Sequence, residues 1–281
     1  MAVSAADVKR LREETDAPMM ECKAALEEAG GDFEKAKEIL REKGQAAAAK
    51  RGDRSTAAGI GWTVVGNGGS KAAGLVVECE TDFVALNEKF KEFVDTLASG
   101  LLDAANPAPG TSVELGPDAV VNGETIAAQL EKMVAIIREN IVLKKAVVSA
   151  ASEGASFALY NHINTRKAAA YVEYRGGSAD SAFQVAIQAV AFPPSFLKRD
   201  DVPADVIEKE TEIETTRAVN EGKPAEVARK IAEGRVNKEY FQSKVLLEQP
   251  FYIDSKKKVT DYVKENGGGE ILSFQLFSVG A

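Results

Sequence analysis

The spacing of the apolar residues changes part-way along this chain, and that change constrains the fold more than any other feature. Through residues 1–45 apolar side chains return every three or four positions, the period of a helix face. Ser4 with Asp7 reads as a helix start, and Val8 and Leu11 follow on one face. A break at Thr15-Asp16-Ala17-Pro18 comes next, with Pro18 where a first helical turn accepts proline. Met19, Cys22, Leu26 and Ala29 make a second face, which Gly30-Gly31 stops. Asp32 is placed to cap a third helix carrying Phe33, Ala36, Ile39 and Leu40, and Gly44 is expected to end it. Three short helices predict a small bundle, a docking module rather than a catalytic one.

Residues 46–60 are small and basic and read as a linker. The period then drops to two. Segments 62–65 and 75–79 flank Gly66-Asn67-Gly68-Gly69, a hairpin pattern. A helix with Phe90, Phe93, Val94, Leu97 and Leu101, a proline-marked loop, and a helix with Ile126, Leu130, Met133, Val134 and Ile137 complete the first round. Strands at 142–148, 157–160 and 168–174 and a helix with Phe183, Ile187 and Val190 make a second. Strands followed by helix thus occur twice, which predicts an α+β protein with two core subdomains, 61–140 and 141–281, built on antiparallel sheets. Residues 203–241 are charged and split by Glu221-Gly222-Lys223-Pro224, the pattern of an antiparallel helical hairpin. Its apolar stripe (Val206, Ile213, Val227, Ile231) is thin, so it is expected to protrude. The tail reads as a strand at 245–247, a short helix at 259–263 and a last strand at 271–279.

Little in the sequence points to bond-making chemistry. His162 is the one histidine among 281 residues, and Cys22 and Cys79 lie far apart, which argues against a Cys/His zinc site. A catalytic triad would need His162 as its base, and no nucleophile-elbow sequence is present. Gly66-Asn67-Gly68-Gly69-Ser70-Lys71 lacks the residue order of a phosphate loop and reads as the hairpin turn. Carboxylate pairs such as Glu27/Glu28 and Glu208/Glu210 read as solvated helix surface. Lys50, Arg51, Arg54 and the run Lys256-Lys257-Lys258 read as solvated segments, and a net charge of −8 disfavours nucleic acid as the main ligand. No apolar run reaches the roughly 18 residues that span a bilayer, and the N-terminus lacks a basic region leading into an apolar stretch. With two lone cysteines, the expected setting is a reducing cytoplasm.

The segment Glu80-Thr81-Asp82-Phe83-Val84-Ala85-Leu86-Asn87 places a large aromatic at a strand-to-helix corner. Phe83 either plugs its own core, with Asp82 or Asn87 capping the helix, or projects as an anchor for a partner with Asp82 as a polar contact. Composition alone favours the plug.

Several ordered motifs resemble those of the bacterial elongation factor Ts family. The stretch Val8-Lys9-Arg10-Leu11-Arg12 through Met19-Met20-Glu21-Cys22-Lys23-Ala24-Ala25-Leu26, with Gly31-Asp32, resembles that family's opening module. Cys79-Glu80-Thr81-Asp82-Phe83-Val84-Ala85 resembles its signature loop. Ile207-Glu208-Lys209-Glu210, Gly222-Lys223-Pro224, Glu233-Gly234-Arg235 and Gln249-Pro250-Phe251 follow in the family's order. The resemblance implies a three-helix N-terminal bundle similar to ubiquitin-associated domains, two α+β subdomains and a helical hairpin. It implies nucleotide exchange on the GTPase elongation factor Tu, with Thr81, Asp82, Phe83 and Val84 as the loop that disturbs the partner's magnesium site. Leu11, Arg12, Met19, Met20, Lys23, His162, Tyr252 and Ile253 are implied as further contacts. The magnesium and nucleotide are the partner's, so no cofactor and no direct nucleotide binding are expected of this chain. Two departures stand out: Asp16-Ala17-Pro18 where the family has a glycine-rich turn, and Ile163-Asn164-Thr165-Arg166 where it often runs through glycines. A hydrolase or transferase using His162, or an RNA-binding factor using the Lys256 region, are the rival classes.

Overall fold

The computed structural model describes residues 3–15, 17–49, 51–267 and 269–280. Asp16, in the expected turn, and Lys50, in the expected basic linker, lie outside the described residues.

Helices α1 (Ala5–Thr15), α2 (Met19–Glu28) and α3 (Phe33–Ala49) open the chain. The Ser4 hydroxyl accepts the Asp7 N–H at 3.1 Å and the Asp7 carboxylate accepts the Ser4 N–H at 3.2 Å, a reciprocal cap. Asp32 Oδ1 accepts the Lys35 N–H at 3.1 Å and starts α3. Val8, Leu11, Cys22, Leu26, Ala36 and Leu40 bury themselves where the three helices meet.

The first sheet has the order β1 (Ala58–Gly66), β2 (Lys71–Cys79), β6 (Ile141–Ala150), β3 (Ser112–Glu114), all antiparallel. Between β2 and β6 the chain makes the single-turn helix α4 (Asp82–Ala85), α5 (Glu88–Ala104), the small ribbon β4 (Val120–Val121) and β5 (Glu124–Thr125), and α6 (Ile126–Ile137). Phe90, Val94, Leu97 and Leu101 of α5, with Ile126 and Val134 of α6, cover one face of that sheet. The second sheet is β7 (Ala155–Asn161), β8 (Ala168–Arg175) and β9 (Glu270–Ser278), also antiparallel. It is backed by α7 (Ala179–Ala191) and α11 (Val259–Glu265), with Phe251 and Leu246 between them. Between α7 and α11 run α8 (Ala204–Asn220), α9 (Ala225–Arg235) and the short α10 (Phe241–Lys244).

The two sheets meet through Ala72, Val76 and Val147 on one side and Phe157, Tyr171 and Phe277 on the other. Gly74 makes this contact possible, because a Cβ there would stand 2.5 Å from the Phe277 ring. The Tyr171 hydroxyl finds Ser149 Oγ at 2.8 Å inside the interface, and burial raises its pKa.

Four expectations are corrected. Gly44 does not end α3: the helix runs to Ala49, and Gly44 permits a close crossing, since a Cβ would lie 2.9 Å from Ala135 Cβ on α6. The strand expected at 142–148 belongs to the first sheet, not the second, because β6 pairs with β2 with Leu75 opposite Ala146. An expected start of the second subdomain at 141 therefore falls ahead of a first-sheet strand. The strand expected at 245–247 is one bridge from Phe196 to Val245 followed by a tight helical turn at 246–248, where burying Leu246 decides the backbone path. In the 203–241 segment the buried positions of α8 and α9 are Thr211, Ala218, Ala228 and Ala232, while Ile213 and Val227 of the expected stripe stay exposed. Small residues let the helices approach closely, and Arg229–Glu208 (3.1 Å) and Arg235–Glu221 (2.6 Å) pair across them. No helix among the described residues is long and apolar enough to cross a membrane.

Candidate functional site

Strand β2 ends at Cys79, and the chain turns sharply into α4. Thr81 is the cap: its hydroxyl oxygen accepts the Val84 N–H at 3.4 Å. Glu139, just past α6, holds Thr81 from below, accepting its hydroxyl at 2.7 Å and its N–H at 3.0 Å. Asn87 Oδ1 then caps α5 by accepting the N–H groups of Lys89 (3.0 Å) and Phe90 (3.4 Å). With both ends of a single turn fixed, its side chains have no freedom of face. Ala85 is buried and Val84 packs against the first core, so Asp82 and Phe83 are turned outward. Phe83 is 88% exposed. Leu86, at the end of the same turn, is exposed as well. Burying such a ring is worth roughly 1.5–3 kcal/mol, and the isolated chain forgoes it. Of the two readings left open for Phe83, the plug is excluded by this placement.

Beside the corner stands the turn between β7 and β8. Lys167 Nζ lies 2.9 Å from Asp82 Oδ1. The turn is closed by Arg166 N–H donating to the His162 carbonyl at 2.7 Å and His162 N–H donating to the Ala168 carbonyl at 3.0 Å. Arg166 lays its guanidinium 3.9 Å over the Trp62 ring and pairs with Asp95 of α5. His162 is half-buried with Nδ1 at 2.8 Å from the Tyr160 hydroxyl, and Ile163 at the tip is exposed.

From His162 the surface continues to the C-terminal half. The Tyr160 ring meets Phe183 of α7 edge-on at 5.9 Å. The next residue, Gln184, accepts from the Tyr252 hydroxyl, and one turn on Gln188 Oε1 accepts the Tyr252 N–H at 2.8 Å. Phe251 is buried and stacks on Tyr262 at 3.9 Å, which pins the segment while Tyr252 and Ile253 remain outside. Partial burial raises the pKa of the Tyr252 phenol, Tyr262 and Tyr160 adding to it.

On the opposite side of the corner, Arg138 closes α6 and pairs with Glu21 of α2. This brings the start of α2, with Met19 and Met20 exposed, toward the Thr81 end of the corner. Arg12 and Lys23 are exposed on the same bundle. Leu11 corrects the expectation drawn for it. It is completely buried in the bundle core, so it shapes the bundle and offers no side-chain atom to a partner.

Among the residues the sequence named, Asp82 connects through Lys167 and Arg166 to the His162 turn, and His162 connects through Tyr160, Phe183 and Gln184 to Tyr252. Met19, Met20, Arg12, Lys23 and Ile253 stand exposed. The sequence did not find Glu139, Lys167, Arg166 or the Glu21–Arg138 pair. No local signal marks them, because each is an ordinary charged residue whose partner is remote in sequence. Among the described residues no group of three or more His, Cys, Asp or Glu side chains is arranged to hold a metal ion. Cys79 is buried, and burial pushes its thiol up to about 12, which disfavours the reactive thiolate.

A family model described as "Elongation factor TS" matches residues 80–281. Over 281 aligned residues the chain is 42% identical to "Elongation factor Ts" of Hydrogenobaculum sp. (strain Y04AAS1), covering all of both chains. It is 42% identical to "Elongation factor Ts" of Thermobifida fusca (strain YX), covering 99% of this chain and 98% of that one. With "Elongation factor Ts" of Aquifex aeolicus (strain VF5) the identity is 37% over 100% of this chain and 99% of that one.

Proposed function

The chain belongs to the elongation factor Ts family, and from that premise we propose that it promotes release of GDP and uptake of GTP on elongation factor Tu. It does so by binding rather than by making or breaking bonds, in the cytoplasm where translation proceeds. The observation that carries this reading is Phe83, 88% exposed at a corner whose backbone is fixed at both ends.

Phe83 and Asp82 enter between helices of the GTPase domain, and the resulting shift disturbs the partner's magnesium and phosphate site. The ion and the nucleotide are the partner's. Such a mechanism requires contacts that are stronger in the nucleotide-free partner than in the loaded one. It is also reciprocal: the factor by which this chain weakens nucleotide binding is the factor by which nucleotide weakens binding of this chain, typically about 5–150-fold. A preorganised corner suits the task, since little conformational freedom is lost on insertion. Met19, Met20, Arg12 and Lys23 on the bundle, with His162, Tyr252 and Ile253 on the second sheet's side, serve as flanking contacts.

The test is stopped-flow release of a fluorescent GDP from elongation factor Tu with catalytic amounts of this chain. Release accelerates with concentration and saturates. A rate unchanged at any concentration would overturn the proposal.

A further inference from the structure

Four residues other than glycine among those described hold a left-handed backbone: Asn67, Asn122, Arg138 and Arg166. Asparagine tolerates that region because its side chain bonds locally, whereas arginine has no such compensation. Both strained arginines flank the Asp82–Phe83 corner. Arg138 (φ 69°) immediately precedes Glu139, which holds Thr81 by two hydrogen bonds of 2.7 and 3.0 Å. Arg166 (φ 54°) immediately precedes Lys167, which holds Asp82 at 2.9 Å. Each arginine then reaches away from the corner to another element. Arg138 pairs with Glu21 beside Met19 and Met20, and Arg166 pairs with Asp95 and covers Trp62 while closing the turn that presents His162 and Ile163. Arg166 Nε is also buried without a hydrogen-bond partner, a second cost at the same residue.

We infer that Arg138 and Arg166 are positioning residues, which set the bundle's Met19–Met20 end and the His162–Ile163 turn at fixed offsets from the Phe83 corner so that one GTPase meets all three together. The inference rests on the exchange reading above and adds to it the residues that align its contacts. Backbone strain in this arrangement is retained because the left-handed turn aims two consecutive side chains at two different elements. At Arg138, whose side chain makes only an exposed pair, a residue serving the fold alone would be replaced by glycine without loss.

That last point supplies the experiment. Full-length variants are measured for thermal melting and for the kcat and KM of exchange on elongation factor Tu carrying fluorescent GDP. Arg138→Gly relieves the backbone and breaks only an exposed pair. Its melting temperature stays equal or rises, while KM increases about two- to fivefold at unchanged kcat, the scale an exposed ion pair allows. Lys167→Ala behaves likewise. Exchanging the charges in Glu21→Arg with Arg138→Glu brings KM back within about twofold of the original. In an Arg166→Ala background the effect of His162→Ala largely vanishes, because the turn it acts from is no longer held. Arg138→Gly and Lys167→Ala with unaltered KM, or losses of Arg166→Ala and His162→Ala that simply multiply, would overturn the inference while leaving the exchange function intact. Absence of exchange by the unmodified chain would instead overturn the reading on which it rests.

Discussion

Phe83 and Phe90 lie on consecutive helices of one strand-to-helix unit and have opposite surroundings, 88% exposed against none. Phe90→Ala should therefore cost about 3–5 kcal/mol of folding stability through loss of burial and the cavity left behind, whereas Phe83→Ala should leave the melt in place. Denaturant titration of the two variants checks this directly. The local pattern around Phe83 could pose the question but not answer it; the family resemblance favoured the projecting anchor. A single helical turn has no periodicity to reveal its inner face, and the caps that fix it are Thr81 and Asn87, with Glu139 bound to Thr81 from another element. Cys79 offers a second check at this scale. Burial, with the nearby Glu139 carboxylate, pushes its thiol up to about 12, and burial raises Cys22 too. Neither thiol should react with a disulfide reagent at about pH 8 until the chain unfolds. Because the fold favours the protonated thiol, the stability this contributes is present below the ordinary thiol pKa of 9.0 and is lost as the pH rises through about 12.

Elements were read well where period and punctuation agree. The hairpin β1–β2, helices α5, α6 and α7, and strand β9 all stand where apolar spacing placed them. Partnerships between elements were not readable, since a strand's period says that it pairs and not with which neighbour. Hence period alone puts β6 with the wrong sheet, and it does not mark the glycines that set the closest approaches. Gly44 looked like a helix stop and is a crossing point on α6. Gly74 lies just ahead of the strand expected at 75–79, yet three atoms of the Phe277 ring lie within 2.9 Å of where its Cβ would be. Gly74→Ala should push the two sheets apart and cost about 1–3 kcal/mol, as overpacked core sites do. A calorimetric melt unchanged by that substitution would mean that the intersheet contact yields easily.

The proposed contacts lie on three modules, the bundle, the first sheet with its corner, and the second sheet with α7 and the Tyr252 segment. The expected division at residue 45 would cut through α3, which continues to Ala49. A chain starting at residue 56 removes the bundle entire. We expect it to melt cooperatively and to catalyse exchange with a raised KM for the partner; loss of the cooperative melt would make the bundle part of the core through its α3–α6 crossing. At this scale the sequence carried most of the reading, because motifs in fixed order along nearly the full chain point to one family even where single residues do not. The claim on which the rest depends is that Phe83 acts outside its own fold. Stopped-flow GDP release from elongation factor Tu, run with the unmodified chain and with Phe83→Ala on samples of matched melting temperature, tests it most directly. The account predicts an equally stable variant whose exchange efficiency falls by the equivalent of about 2 kcal/mol or more, roughly thirtyfold. A Phe83→Ala chain that melts far earlier yet retains full exchange per folded molecule would contradict it.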